Sequence, residues 1–172
     1  MTMTQTPKTK KATKSRKTTT PKPIEKLPPN PFIFEILELA SKQRSKDKRV
    51  EVLKEYADDS IKSLMIWNFD DTVISLVPEG EVPYKKNEVP VGTDHTSLRK
   101  EWNQLYNFVK GGNDSLSKIR RETMFIQILE VLHPKEAEIL CLVKDGNLES
   151  KYRITHEIVK QAYPDIQWGG RS

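Results

Sequence analysis

Three histidines, one cysteine and two adjacent carboxylate pairs are the residues of this chain whose chemistry suits them to act as ligands, bases or nucleophiles. The histidines are His95, His133 and His156. A zinc-protease helix needs two histidines four residues apart with a glutamate after the first, because that spacing puts both imidazoles on one face. His156-Glu157 is followed by Ile158-Val159-Lys160, so the second imidazole is missing. His133 precedes Pro134, and His156 follows Thr155. Both positions suit capping and surface roles at helix starts better than metal ligation. Asp58-Asp59 and Asp70-Asp71 are paired carboxylates, but neighbours on a helix do not face each other. Each pair stands before an apolar segment, where a carboxylate favours the positive end of the helix dipole, so both are expected to open helical segments. Gly111-Gly112 lacks the Lys-Ser/Thr and the preceding strand of a phosphate-binding loop. Cys141 stands in an apolar run with no adjacent basic residue and is expected to be a buried, inert thiol. No catalytic residue, metal or cofactor is expected from these patterns.

The basic residues offer more. Residues 1–29 hold eight Lys/Arg, among them Lys8, Lys10, Lys11, Lys14, Arg16 and Lys17, against one acid, Glu25. That segment is +7, so of the chain's net +5 the remainder carries −2. Thr, Lys and Pro dominate it, and it has too little apolar surface to offset the entropy of ordering, so it is expected to be disordered. Such an arm suits weak, salt-sensitive, sequence-independent contact with DNA or RNA through counterion release. A solubilising tail or a tether fits the same composition. Two further clusters are candidates for phosphate contact. Lys118, Arg120 and Arg121 fall in the first turn of a helix, where cations oppose the dipole; solvated residues balanced by Glu122 are the plainer alternative. Tyr84-Lys85-Lys86 is an aromatic–basic cluster in a proline-rich loop, and could meet a base or a phosphate. A connector packed over the core by Leu76, Val77 and Tyr84 is the plainer reading there.

The elements that must position these residues read as helices throughout. Asn30-Pro31 is expected to cap a first helix carrying Phe32, Ile33, Ile36, Leu37 and Ala40. A second runs from about Lys46 to Ala57, and Asp58-Asp59-Ser60 caps a third with Ile61, Leu64 and Met65. Asp70-Asp71 then opens a helical turn with Val73 and Ile74. Pro78, Gly80, Pro83, Pro90 and Gly92 preclude a regular helix from there to residue 92, leaving a long loop. Leu98, Trp102, Leu105 and Val109 form an amphipathic stripe, so the spacing predicts a helix from about residue 96 to 110. Asp114 or Ser115 caps the most apolar helix, in which nearly every position from Met124 to Leu132 is apolar; so thin a polar strip requires cover on most sides. Pro134 opens a helix to about Lys144, stopped by Asp145-Gly146-Asn147. Thr155 caps a last helix to Tyr163, with Ile154 and Val159 as its hydrophobic staple. The ten-residue connection between the last two helices is too long for a helix-turn-helix.

The fold class expected is therefore all-α: a small multi-helix orthogonal or hairpin bundle with a long Pro-rich loop. Its divisions are a basic tail at 1–29, a helical domain at 30–166 and a short C-terminal tail at 167–172. At 172 residues the chain has room for one ordinary domain plus extras. A single cysteine allows no internal disulfide, which fits a reducing compartment. No run approaches the length of a membrane span and no secretory signal stands at the N-terminus, so a cytosolic protein with no membrane partner is expected.

Several segments together carry a family likeness. They are Asn30 to Leu37 (NPFIFEIL), Lys48 to Tyr56 (KRVEVLKEY), Leu76 to Gly80 (LVPEG), Phe108 to Gly112 (FVKGG), Arg121 to Ile126 (RETMFI), Leu132 to Ile139 (LHPKEAEI) and Ile158 to Pro164 (IVKQAYP). In this order they resemble a domain-of-unknown-function family of large contractile-tailed bacteriophages, especially those of marine bacteria and cyanobacteria, over residues 30–166. The resemblance implies a phage gene product made in the host bacterial cytoplasm. It implies no activity and no functional residues, and the basic tail departs from it. The function expected is a non-enzymatic phage accessory protein that contacts nucleic acid, or a phage or host replication or transcription complex, through its tail. The alternative is a protein–protein adaptor or virion-associated structural protein with the tail as tether.

Overall fold

The computed structural model describes residues 23–88 and 95–171. Among these residues the chain is all-α, with α1 (Ile33–Lys42), α2 (Lys46–Glu55), α3 (Asp59–Phe69), α4 (Leu98–Glu101), α5 (Lys118–Val131), α6 (Pro134–Lys144) and α7 (His156–Ala162). Two 3-10 segments, Trp102–Phe108 and Leu148–Ser150, complete the regular structure. Extended backbone pairs only at two isolated bridges, Ser75 with Val109 and Thr96 with Leu132.

Capping chemistry sets most of the starts. Ser45, Asp58, Ser117 and Thr155 each accept from a backbone N–H in the first turn that follows them, which satisfies one of the donors a helix start leaves free. His133 does the same through Nδ1, 3.1 Å from the Lys135 nitrogen, with Pro134 at the first helical position. α1 starts later than Asn30-Pro31 suggests. Asn30 takes a left-handed turn (φ 52°), the Pro31 carbonyl accepts from Arg99 Nε at 2.7 Å, and Phe32 becomes the cap. Glu35 supplies the side-chain acceptor by reaching back to the Phe32 nitrogen.

The centre of the core is α6 rather than α5. α6 packs against α1, α3 and α5, and Ala137, Ile139, Leu140 and Val143 are all fully buried. α5 buries Phe125, Ile128 and Leu129 on one side only; Met124 and Ile126 are half-buried and Val131 is exposed. The expectation of cover on most sides is therefore corrected. An apolar run in sequence does not separate a buried face from apolar residues left at the surface.

The expected helix over 96–110 is also replaced. After one turn of α4 the chain tightens into the 3-10 segment, whose three-residue repeat puts Leu105 and Phe108 together on the core. Asn107 assists by donating from its side chain to the Gln104 carbonyl at 2.8 Å, a local bond that competes with the α-helical ladder. Nor do Asp70-Asp71 open a helical turn: Asp70 is the C-cap of α3, and a non-helical turn follows.

The described parts of the two tails, residues 23–29 and 167–171, are tied down further than composition suggests. Ile24 and Leu27 are half-buried against the core, and the Leu27 N–H donates to the Tyr56 hydroxyl at 2.9 Å. At the other end Trp168 meets the His156 ring edge-on at 4.4 Å, while the Gly169 N–H and Arg171 Nη1 both reach Asp70 Oδ2 at 2.9 Å. Residues 167–171 are thus part of the packed domain.

Candidate functional site

Among the described residues the expected cations do not converge. Lys118 and Arg120 are exposed on the first turn of α5. Arg121 is not available for phosphate contact and the expectation is corrected: it is only 7% exposed. Its Nε donates to the Asn107 carbonyl at 2.9 Å, and its Nη2 to the carbonyls of Asn113 and Leu116 at 3.1 and 3.2 Å. A guanidinium presents several N–H groups in a rigid fork, so one side chain can close a loop over its own helix start. Lys85 and Lys86 are exposed, and the Lys85 nitrogen donates to Glu130 Oε1 at 3.2 Å. Glu130 lies twelve residues along α5 from Lys118, about 18 Å at the rise of an α-helix. The two basic clusters therefore flank opposite ends of α5. Lys8, Lys10, Lys11, Lys14, Arg16 and Lys17 lie outside the described residues.

The titratable groups that do cluster serve the fold. His133 stacks on Phe34 at 4.7 Å and meets His95 edge-on at 5.2 Å; burial lowers its pKa, with His95 and Lys135 adding to the effect. Glu136 is fully buried, accepts from the Leu98 nitrogen at 3.2 Å, and leaves Oε2 without a partner. Burial pushes its carboxyl up to about 7 against the pull of the Leu98 and Phe34 amides. Asp70 goes the other way. Burial raises its pKa, but bonds from Thr72 and Gly169 and the charge of Arg171 outweigh this and hold it at about 2. The Cys141 thiol is half-buried and pushed up to about 11, chiefly by burial, which leaves it protonated and unreactive at neutral pH. Among the described residues no three His, Cys, Asp or Glu side chains stand as a metal-binding group.

What the fold assembles instead is a groove of about 660 Å3 between α3 and the 3-10 segment. Ile66, Val73, Leu105 and Val109 give it an aliphatic surface, and Trp67, Trp102 and Tyr106 add aromatic walls. Trp67 stacks on Phe108 with ring centroids 6.4 Å apart, which fixes that wall to the core. Tyr106 is 54% exposed. The bridge between Ser75 and Val109 holds the two sides of the groove together. Its hydrogen bonds run from the Lys110 N–H to the Ile74 carbonyl at 2.9 Å and from the Leu76 N–H to the Phe108 carbonyl at 2.8 Å. Gly112 closes one end: a β-carbon there would stand 1.9 Å from the Tyr106 carbonyl oxygen, so only glycine permits this approach. The charged residues lining the groove are Lys110 and Arg171, and no described carboxylate lines it. A second, polar recess of about 410 Å3 shares Trp67 and Val73 with the groove and is lined by Asp70, Asp71, Glu79 and the buried Lys144.

Sequence reading missed the groove because its walls come from residues 63–73 and 102–112, and their meeting depends on the 3-10 twist. The signal present was the stripe of Trp102, Leu105 and Val109, together with Tyr106 just off it.

A model of a family of unknown function (DUF6433) matches residues 36–150, two thirds of the chain. The chain belongs to that family. The match starts within α1 and runs through the 3-10 turn Leu148–Ser150, so it includes both sides of the groove. No curated protein and no solved structure matches the chain. No helix among the described residues is long and apolar enough to cross a membrane.

Proposed function

We propose that this DUF6433 protein is a non-enzymatic accessory protein of a large contractile-tailed phage, working in the host cytoplasm as a protein–protein adaptor. The helical domain holds a partner in the groove, and the basic arm is its tether. The observation that carries this reading is the groove itself: an open apolar recess with a half-exposed tyrosine on its wall. Aromatic residues over an apolar centre are the composition of protein interfaces. The separation of Lys85 and Lys86 from Lys118 and Arg120, at opposite ends of α5, supports it too. The test is affinity capture from infected cells with and without nuclease, using the full chain and a chain lacking residues 1–29. The same phage or host protein is expected in all arms. Recovery that vanishes with nuclease would reject the adaptor.

A second reading, contact with nucleic acid through the arm, is favoured by charge alone: +7 in residues 1–29 against −2 in the rest. Each lysine or arginine that neutralises a phosphate releases counterions and steepens the salt dependence. Retention on DNA and RNA at low salt that is unchanged by removing residues 1–29 would end this reading.

A further inference from the structure

We propose that the groove receives a segment of a protein partner in which bulky apolar side chains stand next to an aspartate or glutamate. The inference rests on the adaptor reading and names the chemistry of the partner.

The argument for the apolar part is the surface on offer. Ile66, Val73 and Val109 are half-buried and Tyr106 is exposed, so apolar area remains in contact with water. Covering it is favourable at about 25 cal/mol per Å2. Ile74, which is 42% exposed, adjoins this surface through the bond between its carbonyl and the Lys110 nitrogen.

The argument for the acidic part is the imbalance of polar groups. Arg171 is already engaged by Asp70 at 2.9 Å. Lys110 is exposed and forms no ion pair with any described carboxylate. Of the two cations in the lining, Lys110 is therefore the one with no described anion to answer it. A carboxylate beside Lys110 corrects that imbalance at the edge of a water-poor surface, where a charge pair is worth more than in open solvent.

Nucleic acid fits the same groove less well. A single unpaired lysine meets few phosphates, and the aliphatic residues beside the aromatic rings leave the polar edges of a base unsatisfied.

The experiment is selection from a random peptide library with the full chain as bait, followed by fluorescence titration of the synthesised peptides. Enriched peptides are expected to carry an Asp or Glu within one helical turn of two large apolar residues. Their affinity is expected to fall at least tenfold in Tyr106→Ala and in Lys110→Glu. Both residues are exposed, so circular dichroism is expected to be unchanged. Replacing the peptide's acid by lysine is expected to restore binding to Lys110→Glu. Enriched peptides without an acid, or affinities unmoved by both variants, would overturn the inference. If those peptides still bind elsewhere on the domain, the adaptor reading stands without it; no enrichment at all would remove both. Two other results would also overturn it. One is oligothymidylate binding that is lost in Tyr106→Ala, which assigns the groove to nucleic acid. The other is a concentration-dependent dimer lost in that variant, which assigns it to a second copy of the chain.

Discussion

The ammonium of Lys144 lies 2.8 Å from the carbonyl oxygen of Gly80, with its side chain fully enclosed. The same nitrogen donates to the Pro78 carbonyl at 3.0 Å and to Asp145 Oδ1 at 2.7 Å. All three N–H groups of the lysine are thus used, and the last turn of the central helix becomes the clamp on the proline-rich loop.

Replacing Lys144 by Met is expected to cost about 3 kcal/mol, because it leaves Asp145 and two carbonyls without their buried partner. Chemical denaturation measures the loss. Limited proteolysis is expected to show new cleavage around Pro78 to Pro83, since the loop loses its attachment before the helices lose theirs.

Arg121 and its neighbours are expected to behave oppositely. Arg121→Ala strands the carbonyls of Asn107, Asn113 and Leu116 and is expected to cost about 2–3 kcal/mol. Lys118→Ala and Arg120→Ala alter exposed residues and are expected to stay within about 0.5 kcal/mol of the parent. Thermal melting separates them, at roughly 2–4 °C per kcal/mol for a domain of this size.

Stability is expected to depend on pH through Glu136 in the direction opposite to an ordinary salt-bridged carboxylate. Its folded pKa of about 7 lies above the ordinary 4.5, so the folded state holds more protons between those values. Stability from this group is full below about 4.5 and is lost as pH rises towards 7. Asp70, held at about 2 against an ordinary 3.8, contributes stability above 3.8 that is lost as pH falls towards 2. His133 and His156, both lowered mainly by burial, oppose Glu136 near the ordinary histidine value of 6.5. The difference between parent and variant isolates the carboxyl: Glu136→Gln is expected to match the parent near pH 4 and to exceed it by about 1 kcal/mol or more at about pH 8. Urea titrations at the two pH values check this, and equal stability of the two proteins at the higher pH would refute it.

The adjacent glycines are expected to differ sharply. Gly112→Ala drives a methyl into the Tyr106 carbonyl, at 1.9 Å before relaxation, and is expected to cost about 2–3 kcal/mol while displacing the tyrosine. Gly111 has φ +87° with open space around its β-position, so Gly111→Ala meets only the left-handed backbone penalty of about 1–2 kcal/mol. Melting curves of the two variants, with the tyrosine and tryptophan fluorescence of each, make the comparison.

These contrasts follow the line between what was legible in the sequence and what was not. The all-α class was legible, because most helices carry a local signature: Asp58 before α3, His133-Pro134 before α6, Thr155 before α7. The domain's chain of apolar residues was legible as core-forming, though not the ranking in which α6 rather than α5 is central. In sequence Arg121 looks like a surface cation, because its acceptors are backbone carbonyls, which every residue has and no side chain announces. In sequence Asp70 looks like a helix opener, because its partners, Gly169 and Arg171, stand about a hundred residues away. The groove failed for a third reason. A stripe of apolar residues fits an α-helix and a 3-10 segment almost equally well, but the two turn Tyr106 and Val109 to different sides.

The placement of α6 and α7 also has a consequence for synthesis on the ribosome. α6 covers α1 and α3, α7 covers α2, and the Tyr163 hydroxyl donates to the Leu53 carbonyl at 3.0 Å. α1 and α2 pack on each other and α3 meets the 3-10 segment, but part of each apolar face waits for α6 or α7, which for Leu53 and Tyr163 means 110 residues of chain. At roughly 5–20 residues per second that wait lasts about 5–20 s. During it the nascent chain offers chaperones side chains that later form the core, and an interruption of translation before residue 134 releases a product that lacks both covering helices, α6 and α7.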